Sequence, residues 1–222
     1  MFRSTVLCAF TFSAAIPAFA DPVLDKMRTV SKDGPVYAYE MTYSGEGVVA
    51  TGKIDPSRPE GERIQVYSPA LGELSDEFKE GLEEMDAEAD GDIWCSDFAE
   101  MVPADATATQ QDETTVTYAF TPLPEDDADK TEQKMMKKML GTVTLDKTDG
   151  AVLAFNMSLP KPYKPAMVAK INRFQMDVSC ERAPDGRTYL EDFNFDIAGS
   201  AMMQSFEETV SRQITKLLDP VG

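Results

Sequence analysis

One stretch decides the fold, and from Gly141 to Gly199 it reads GTVTLDKTDGAVLAFNMSLPKPYKPAMVAKINRFQMDVSCERAPDGRTYLEDFNFDIAG. Apolar and polar residues alternate along it with a period of two, as they do in strands that bury one face. The turn sequences Asp149-Gly150 and Asp185-Gly186 separate the alternating runs and are typical of β-hairpins. We therefore predict an antiparallel meander that is broken by a proline-rich bend at residues 161–165.

The chain on either side of the meander adds further strands and several helices to the prediction. Apolar alternation predicts strands at residues 37–43, 48–54, 63–67 and 113–121. Helices are predicted from Asp21-Pro22, after Ser75 and over residues 128–140. The C-terminal segment is ambiguous, because apolar residues recur at helical spacing while β-branched residues favour a strand. We favour a helix there, on the spacing of Met203, Phe206, Val210, Ile214 and Leu217.

The first twenty residues have the features of a secretory signal peptide. Arg3 precedes an apolar run, and Ala18-Phe19-Ala20 is a small-residue cleavage site before Asp21. The apolar run is too short to span a membrane, and no later run is longer. We expect an exported protein, located in the periplasm or secreted, in which residues 21–222 form a single domain.

Cysteine usage predicts one disulfide. Removal of residues 1–20 leaves two cysteines, Cys95 and Cys180. Two cysteines in an oxidising compartment usually pair, so we predict a Cys95–Cys180 disulfide. Two buried free thiols are the alternative.

Composition excludes several classes of function. The formal net charge of −18 argues against nucleic acid or an anionic membrane surface as a partner, because phosphate groups repel an acidic surface. The chain contains no histidine, which removes Ser-His-Asp and Cys-His catalysis. We therefore expect a protein that is not an enzyme.

An acidic loop at residues 86–97 is similar to an EF-hand calcium loop. Carboxylates fall at the first, third and fifth positions, and Gly91 stands at the sixth, where an EF-hand turns sharply. A solvated acidic helix end is the alternative reading, because an aspartate replaces the usual final glutamate. The candidate calcium-binding residues are Asp86, Glu88, Asp90, Asp92 and Asp97.

A methionine-rich segment near residue 137 indicates a possible contact with an apolar ligand. The chain has thirteen methionines, and methionine suits surfaces that adapt to variable apolar groups. Met135, Met136 and Met139 flank Lys137 and Lys138, as in a lid over an acyl chain with an anionic head. The alternative is an amphipathic helix that packs on the sheet and extends its lysines to solvent.

The order of these elements resembles that of the LolA/LolB-type periplasmic lipoprotein carriers. The residues that carry the resemblance are the strand Thr51-Gly52-Lys53-Ile54, the strand at residues 63–69 and the strand at 141–146 that opens the meander. The resemblance implies an α+β fold, in which a strongly twisted antiparallel sheet or incomplete β-barrel is covered by short helices. An acidic helical insertion at about residues 74–103 departs from the family.

Together these observations predict a binding protein that holds a lipid or acyl chain in an apolar cavity under a helical lid. The alternative is an acidic interaction protein with a fully packed sheet and a calcium ion at the EF-hand-like loop; no other cofactor is expected. The predicted floor of the cavity consists of Phe155, Met157, Phe174, Met176, Phe193 and Phe195.

Overall fold

The computed structural model describes residues 21–45, 47–124 and 128–221; the predicted signal peptide lies outside the described residues. Short 3-10 helices at Leu71–Glu73 and Cys95–Met101 accompany the regular elements. The helices and strands are α1 (Pro22–Thr29), β1 (Val36–Gly45), β2 (Val48–Ile54), β3 (Ile64–Ser68), α2 (Asp76–Glu88), β4 (Thr107–Gln111), β5 (Thr115–Phe120), α3 (Lys130–Met136), β6 (Leu140–Asp146), β7 (Val152–Ser158), β8 (Tyr163–Ala166), β9 (Ala169–Arg182), β10 (Thr188–Ala201) and β11 (Gln204–Val221).

All eleven strands of the described chain belong to one antiparallel sheet. Its order is β3-β2-β1-β11-β10-β9-β7-β6-β5-β4, and β8 pairs with β9 outside this path. The edge strands β3 and β4 do not pair with each other within the described residues, so the sheet is open. The predicted α+β class and the antiparallel meander are therefore confirmed. No described helix combines the length and the apolar composition that a membrane crossing requires.

The C-terminal segment is a strand, so the prediction of a helix there was wrong. β11 lies in the middle of the sheet, where Val210 pairs with Phe195 of β10 and Ile214 pairs with Met41 of β1. Val210 and Ile214 are four residues apart, which satisfies the period of a strand as well as that of a helix. Pairing on both sides supplies hydrogen bonds and burial that an isolated helix would lack.

Three smaller predictions also need correction. The helix predicted over residues 128–140 ends at Met136, because Leu140 already pairs with Ser158 as the first residue of β6. The proline-rich bend at 161–165 contains part of β8, which pairs with β9. Strand β4 was not predicted, because all its residues are exposed and show no apolar alternation.

The two faces of the sheet differ in polarity. One cross-strand row contains Phe155, Val178 and Phe193, whereas the adjacent row contains Asn156, Asp177 and Asn194. We call the first of these the inner face. All helical cover lies on it: α1 and the 3-10 helix Cys95–Met101 pack over β5–β7, and α2 packs over β1–β3. Antiparallel sheets commonly have one packed and one solvated face, and this sheet follows that arrangement.

The acidic insertion is attached to the inner face at three points. The predicted disulfide between Cys95 and Cys180 is present and joins the insertion to β9. Trp94 forms a β-bridge with Tyr189, and the ring of Phe98 stacks on that of Phe155 with 4.6 Å between the centroids. These contacts fix the covered part of the inner face and leave its middle open.

Candidate functional site

An apolar trough runs along the inner face of β9 and β10. Phe174, Met176, Phe193, Phe195 and Ile197 form it, and all five side chains are half-buried. Met176 stands opposite Phe195, and Phe174 stands opposite Ile197. The rings of Phe174 and Phe195 meet edge to face at 5.4 Å, which is a favourable arrangement for aromatic pairs. The trough is thus an ordered apolar surface that the helices of the described chain leave partly uncovered.

Covered parts of the sheet lie on both sides of the trough. On the β7 side, Phe155 is fully buried because Phe98 stacks on it. On the β1 side, Phe78 of α2 packs edge to face against Tyr43, with 5.4 Å between the ring centroids. The guanidinium of Arg212 lies 5.9 Å from the ring centroid of Phe193 and places a positive charge at this margin. The trough therefore has walls on two sides and a cation at one of them.

The structure divides the predicted floor into an open and a covered part. Four predicted residues belong to the trough and are accessible: Phe174, Met176, Phe193 and Phe195. Phe155 and Met157 are buried in the main core, so the described conformation leaves them almost no area for a ligand. The alternation of the sequence located the correct face but could not show where helices would cover it.

The three methionines of the predicted lid pack in the core. Met136 and Met139 are buried among the same side chains as Phe155, and Met135 is half-buried against them. This position matches the alternative reading, an amphipathic helix packed on the sheet. Lys137 and Lys138 point to solvent beside it. Contact between these methionines and a ligand stays a prediction.

Cavities flank α2, and the sequence reasoning did not locate them. One of about 620 Å³ lies between α2 and β3 and is lined by apolar side chains with a charged rim. A second of about 260 Å³ lies on the side of α2 that carries Met85, and Tyr43 and Arg212 also line it. The spacing of the apolar residues Phe78, Leu82 and Met85 in the sequence indicates which side of α2 faces the sheet, and the cavities adjoin that side. Both cavities are open at the sides of α2, and only about 30 Å³ of space lies directly between this helix and the sheet.

Asp86, the first residue of the EF-hand-like loop, is buried and already bonded. Its carboxylate accepts hydrogen bonds from the backbone N–H of Gly61 and from that of Ile64, the latter at 2.7 Å. The guanidinium of Arg63 donates to the carbonyl oxygen of Ala87 at 3.0 Å. The carboxylate of Asp86 thus connects the C-terminal end of α2 to β3.

Three of the other carboxylates of this loop also have protein partners, and Glu88 is exposed at the end of α2. Asp97 forms an ion pair of 2.6 Å with Lys32, and Asp90 accepts a hydrogen bond from the N–H of Asp92. Burial, followed by the hydrogen bond and charge of Asp97, raises the pKa of Asp92. Within the described ranges, no three His, Cys, Asp or Glu side chains are grouped as metal ligands would be. Calcium binding stays a prediction.

Comparisons with known proteins provide no identification. The chain matches no protein-family model, no curated protein and no solved structure. The resemblance to the LolA/LolB-type carriers therefore rests on the order of elements and stays a prediction.

Proposed function

We propose that this chain is an exported binding protein that holds a lipid or acyl chain in the trough. One observation carries the proposal: the phenylalanines of the trough are only half-buried, whereas Phe155, Val143 and Leu145 on the same face are fully buried. A large apolar surface in contact with water is unfavourable unless another apolar group covers it. Sites for apolar ligands are also lined mainly by apolar and aromatic side chains.

The geometry favours α2, rather than α3, as the cover of the ligand. Cavities lie on both sides of α2, while the methionines of the α3 region are packed in the core. A helix with open space along its sides loses few contacts when it moves across the sheet. The alternative of a fully packed interaction protein is less well supported, because the trough residues in the middle of the inner face are only half-buried.

Two measurements test the proposal on the wild-type chain. Native mass spectrometry after gentle purification is expected to detect co-purified lipid. Titration with a fluorescent fatty acid is expected to show saturable binding. An apo mass together with no uptake of the fatty acid would rule out the proposal.

A matched pair of variants tests the location of the ligand. Phe195→Glu places a carboxylate in the trough, where an acyl chain would leave it without water, so binding should weaken at least about tenfold. Asn194→Glu adds the same carboxylate to the adjacent, outward-facing position of β10 and should bind as the wild type does. Phe195 is half-exposed, so the variant should still fold, and circular dichroism checks this. Equal binding by both variants would exclude the trough.

A further inference from the structure

Two turns meet at one end of the sheet and form an apolar tip. Met167 and Val168 connect β8 to β9, and Met202 and Met203 connect β10 to β11. The backbone N–H of Met202 donates to the carbonyl oxygen of Val168 at 2.9 Å, so the two turns lie side by side. We define the apolar tip as these four residues together with Phe206.

The three methionine side chains of the apolar tip are largely exposed, and Val168 and Phe206 are 59% and 40% exposed. Met167 and Met203 are each 101% exposed, and Met202 is 78% exposed. Met202 and Met203 also have positive φ angles, of 51° and 69°, in a two-residue hairpin turn for which Asn-Gly is the preferred sequence. The turn therefore holds two large apolar side chains in a conformation that disfavours them, without burying either. Packing in the folded chain does not explain these residues.

The charge around the apolar tip is opposite to that of the chain as a whole. Residues 159–172 and 197–206 contain Lys161, Lys164 and Lys170 and no acidic residue, although the chain has 39 acidic and 21 basic residues. Lys161 and Lys164 are exposed and form no ion pair with any described residue. The surface that carries the exposed methionines is thus locally basic.

The acidic residues that approach the apolar tip do not cancel this charge. Asp196 and Glu207 both pair with Arg173, at 2.8 Å and 2.7 Å, on the outer face. Glu208 lies opposite Ile197 on the inner face, farther from the turn than Phe206.

The apolar tip is continuous with the trough. Beyond Phe174 and Ile197, the inner face continues to Gly199, which pairs with both Ile171 and Phe206. A Cβ atom at Gly199 would lie 2.6 Å from the ring of Phe206, so the absence of a side chain there allows this ring to lie against β10. On the inner face of β10, no charged side chain lies between Phe195 and Met203, and Glu208 of β11 lies opposite Ile197 at the margin of this run.

We propose that the apolar tip docks on the surface of an anionic lipid bilayer. Fully exposed apolar side chains enter the boundary between headgroups and acyl chains, and neighbouring lysines are attracted to anionic headgroups. The combination of Met167, Met202 and Met203 with Lys161 and Lys164 has this composition. The inference goes beyond lipid binding in the trough, because docking requires no ligand there. It assigns the end of the trough as the place where the chain faces a membrane.

Co-sedimentation with vesicles tests the docking. The probes are vesicles of equimolar phosphatidylglycerol and phosphatidylcholine, and vesicles of phosphatidylcholine alone. The wild type is expected to bind the anionic vesicles more tightly, and added salt should weaken this binding because it screens the lysines. No binding to the anionic vesicles would overturn the proposal.

Two pairs of variants separate the apolar and the charged contributions. Met202→Asn/Met203→Gly should weaken vesicle binding at least about tenfold, because it removes two inserted side chains. Val49→Asn changes an apolar residue that is 63% exposed on another part of the surface and should have no effect. Lys164→Gln should weaken binding about fivefold, whereas Lys216→Gln, on β11 away from the apolar tip, should not.

Separate measurements control for the folding and the self-association of these variants. Asn-Gly suits the turn, so the thermal midpoint of the double variant should be no lower than that of the wild type. Sedimentation velocity tests whether the apolar tip instead binds a second copy of the chain. A dimeric wild type and a monomeric double variant would show that it does, and would overturn docking on a membrane. Fatty-acid uptake is measured separately, so failure of docking and failure of ligand binding are distinguishable.

Discussion

At the scale of single residues, the buried tyrosines make the fold sensitive to alkaline pH. Tyr39 of β1 is 8% exposed, and burial raises the pKa of its phenol from 10.0 to about 12. Burial also raises the pKa values of Tyr118 and Tyr189, each of which is further raised by a hydrogen bond to a carboxylate. A raised pKa in the folded state means that the fold prefers the neutral phenol. This contribution to stability is complete below pH 10 and is lost as the pH rises towards 12.

A conservative substitution tests this dependence. We expect the free energy of unfolding of the wild type to fall between pH 10 and pH 12. At pH 12 the free energy of unfolding of Tyr39→Phe should have fallen by about 2 kcal/mol less than that of the wild type, because phenylalanine has no proton to lose. Tyr67→Phe is the control, since Tyr67 is 52% exposed. Urea unfolding at a series of pH values measures the difference. Parallel curves for Tyr39→Phe and the wild type would contradict the assignment.

At the scale of elements, α2 is attached to the sheet by few groups, of which Asp86 is the most buried. Asp86→Ala would leave the N–H groups of Gly61 and Ile64 without their acceptor. Gly61 is exposed and Ile64 is half-buried, so water can replace the lost acceptor in part, and the variant should lose about 1–2 kcal/mol of stability. Glu84→Ala, at an exposed position of the same helix, should change stability by less than about 0.5 kcal/mol.

Hydrogen exchange localises the effect of this variant. If Asp86 holds α2 against β3, the amides of Gly61 and Ile64 and those of α2 should exchange faster in Asp86→Ala. Amides of β6 and β7, in the main core, should keep their protection. A uniform loss of protection, or none, would show that this contact does not anchor the helix.

The elements also differ in how far sequence could define them. The meander was predictable, because its alternation is bounded by Asp-Gly turns. β11 was not, since Val210 and Ile214 fit the periods of a helix and of a strand, and only pairing with β1 and β10 decides between them. The trough was half predictable: alternation shows which face is apolar, but the positions of Phe98 and α2 decide how much of it stays open. The turn at Met202-Met203 lacks turn-forming residues and gave no local signal.

At the scale of the whole molecule, long-range contacts stabilise an open sheet that helices cover on one face only. Within the described residues, the sheet begins and ends at strands that are paired on one side only, so it has open edges where a closed barrel has none. Its stability therefore depends on the cover of the inner face. The insertion that supplies part of this cover is joined to β9 by the Cys95–Cys180 disulfide, between cysteines that are 85 positions apart.

Removal of this disulfide is expected to destabilise the fold without changing its topology. Closing a loop of 85 residues reduces the entropy of the unfolded chain, which corresponds to about 4–5 kcal/mol in the loop-closure model. Cys95→Ala/Cys180→Ala should lower the free energy of unfolding by about this amount in urea titrations and keep the circular dichroism of the wild type. Trp94, 9% exposed beside Cys95, should then report local loosening by a red shift of its fluorescence. Reduction of the wild type with dithiothreitol should produce the same shift, and an unchanged unfolding midpoint in both would mean that the packing of Phe98 on Phe155 holds the insertion without the covalent link.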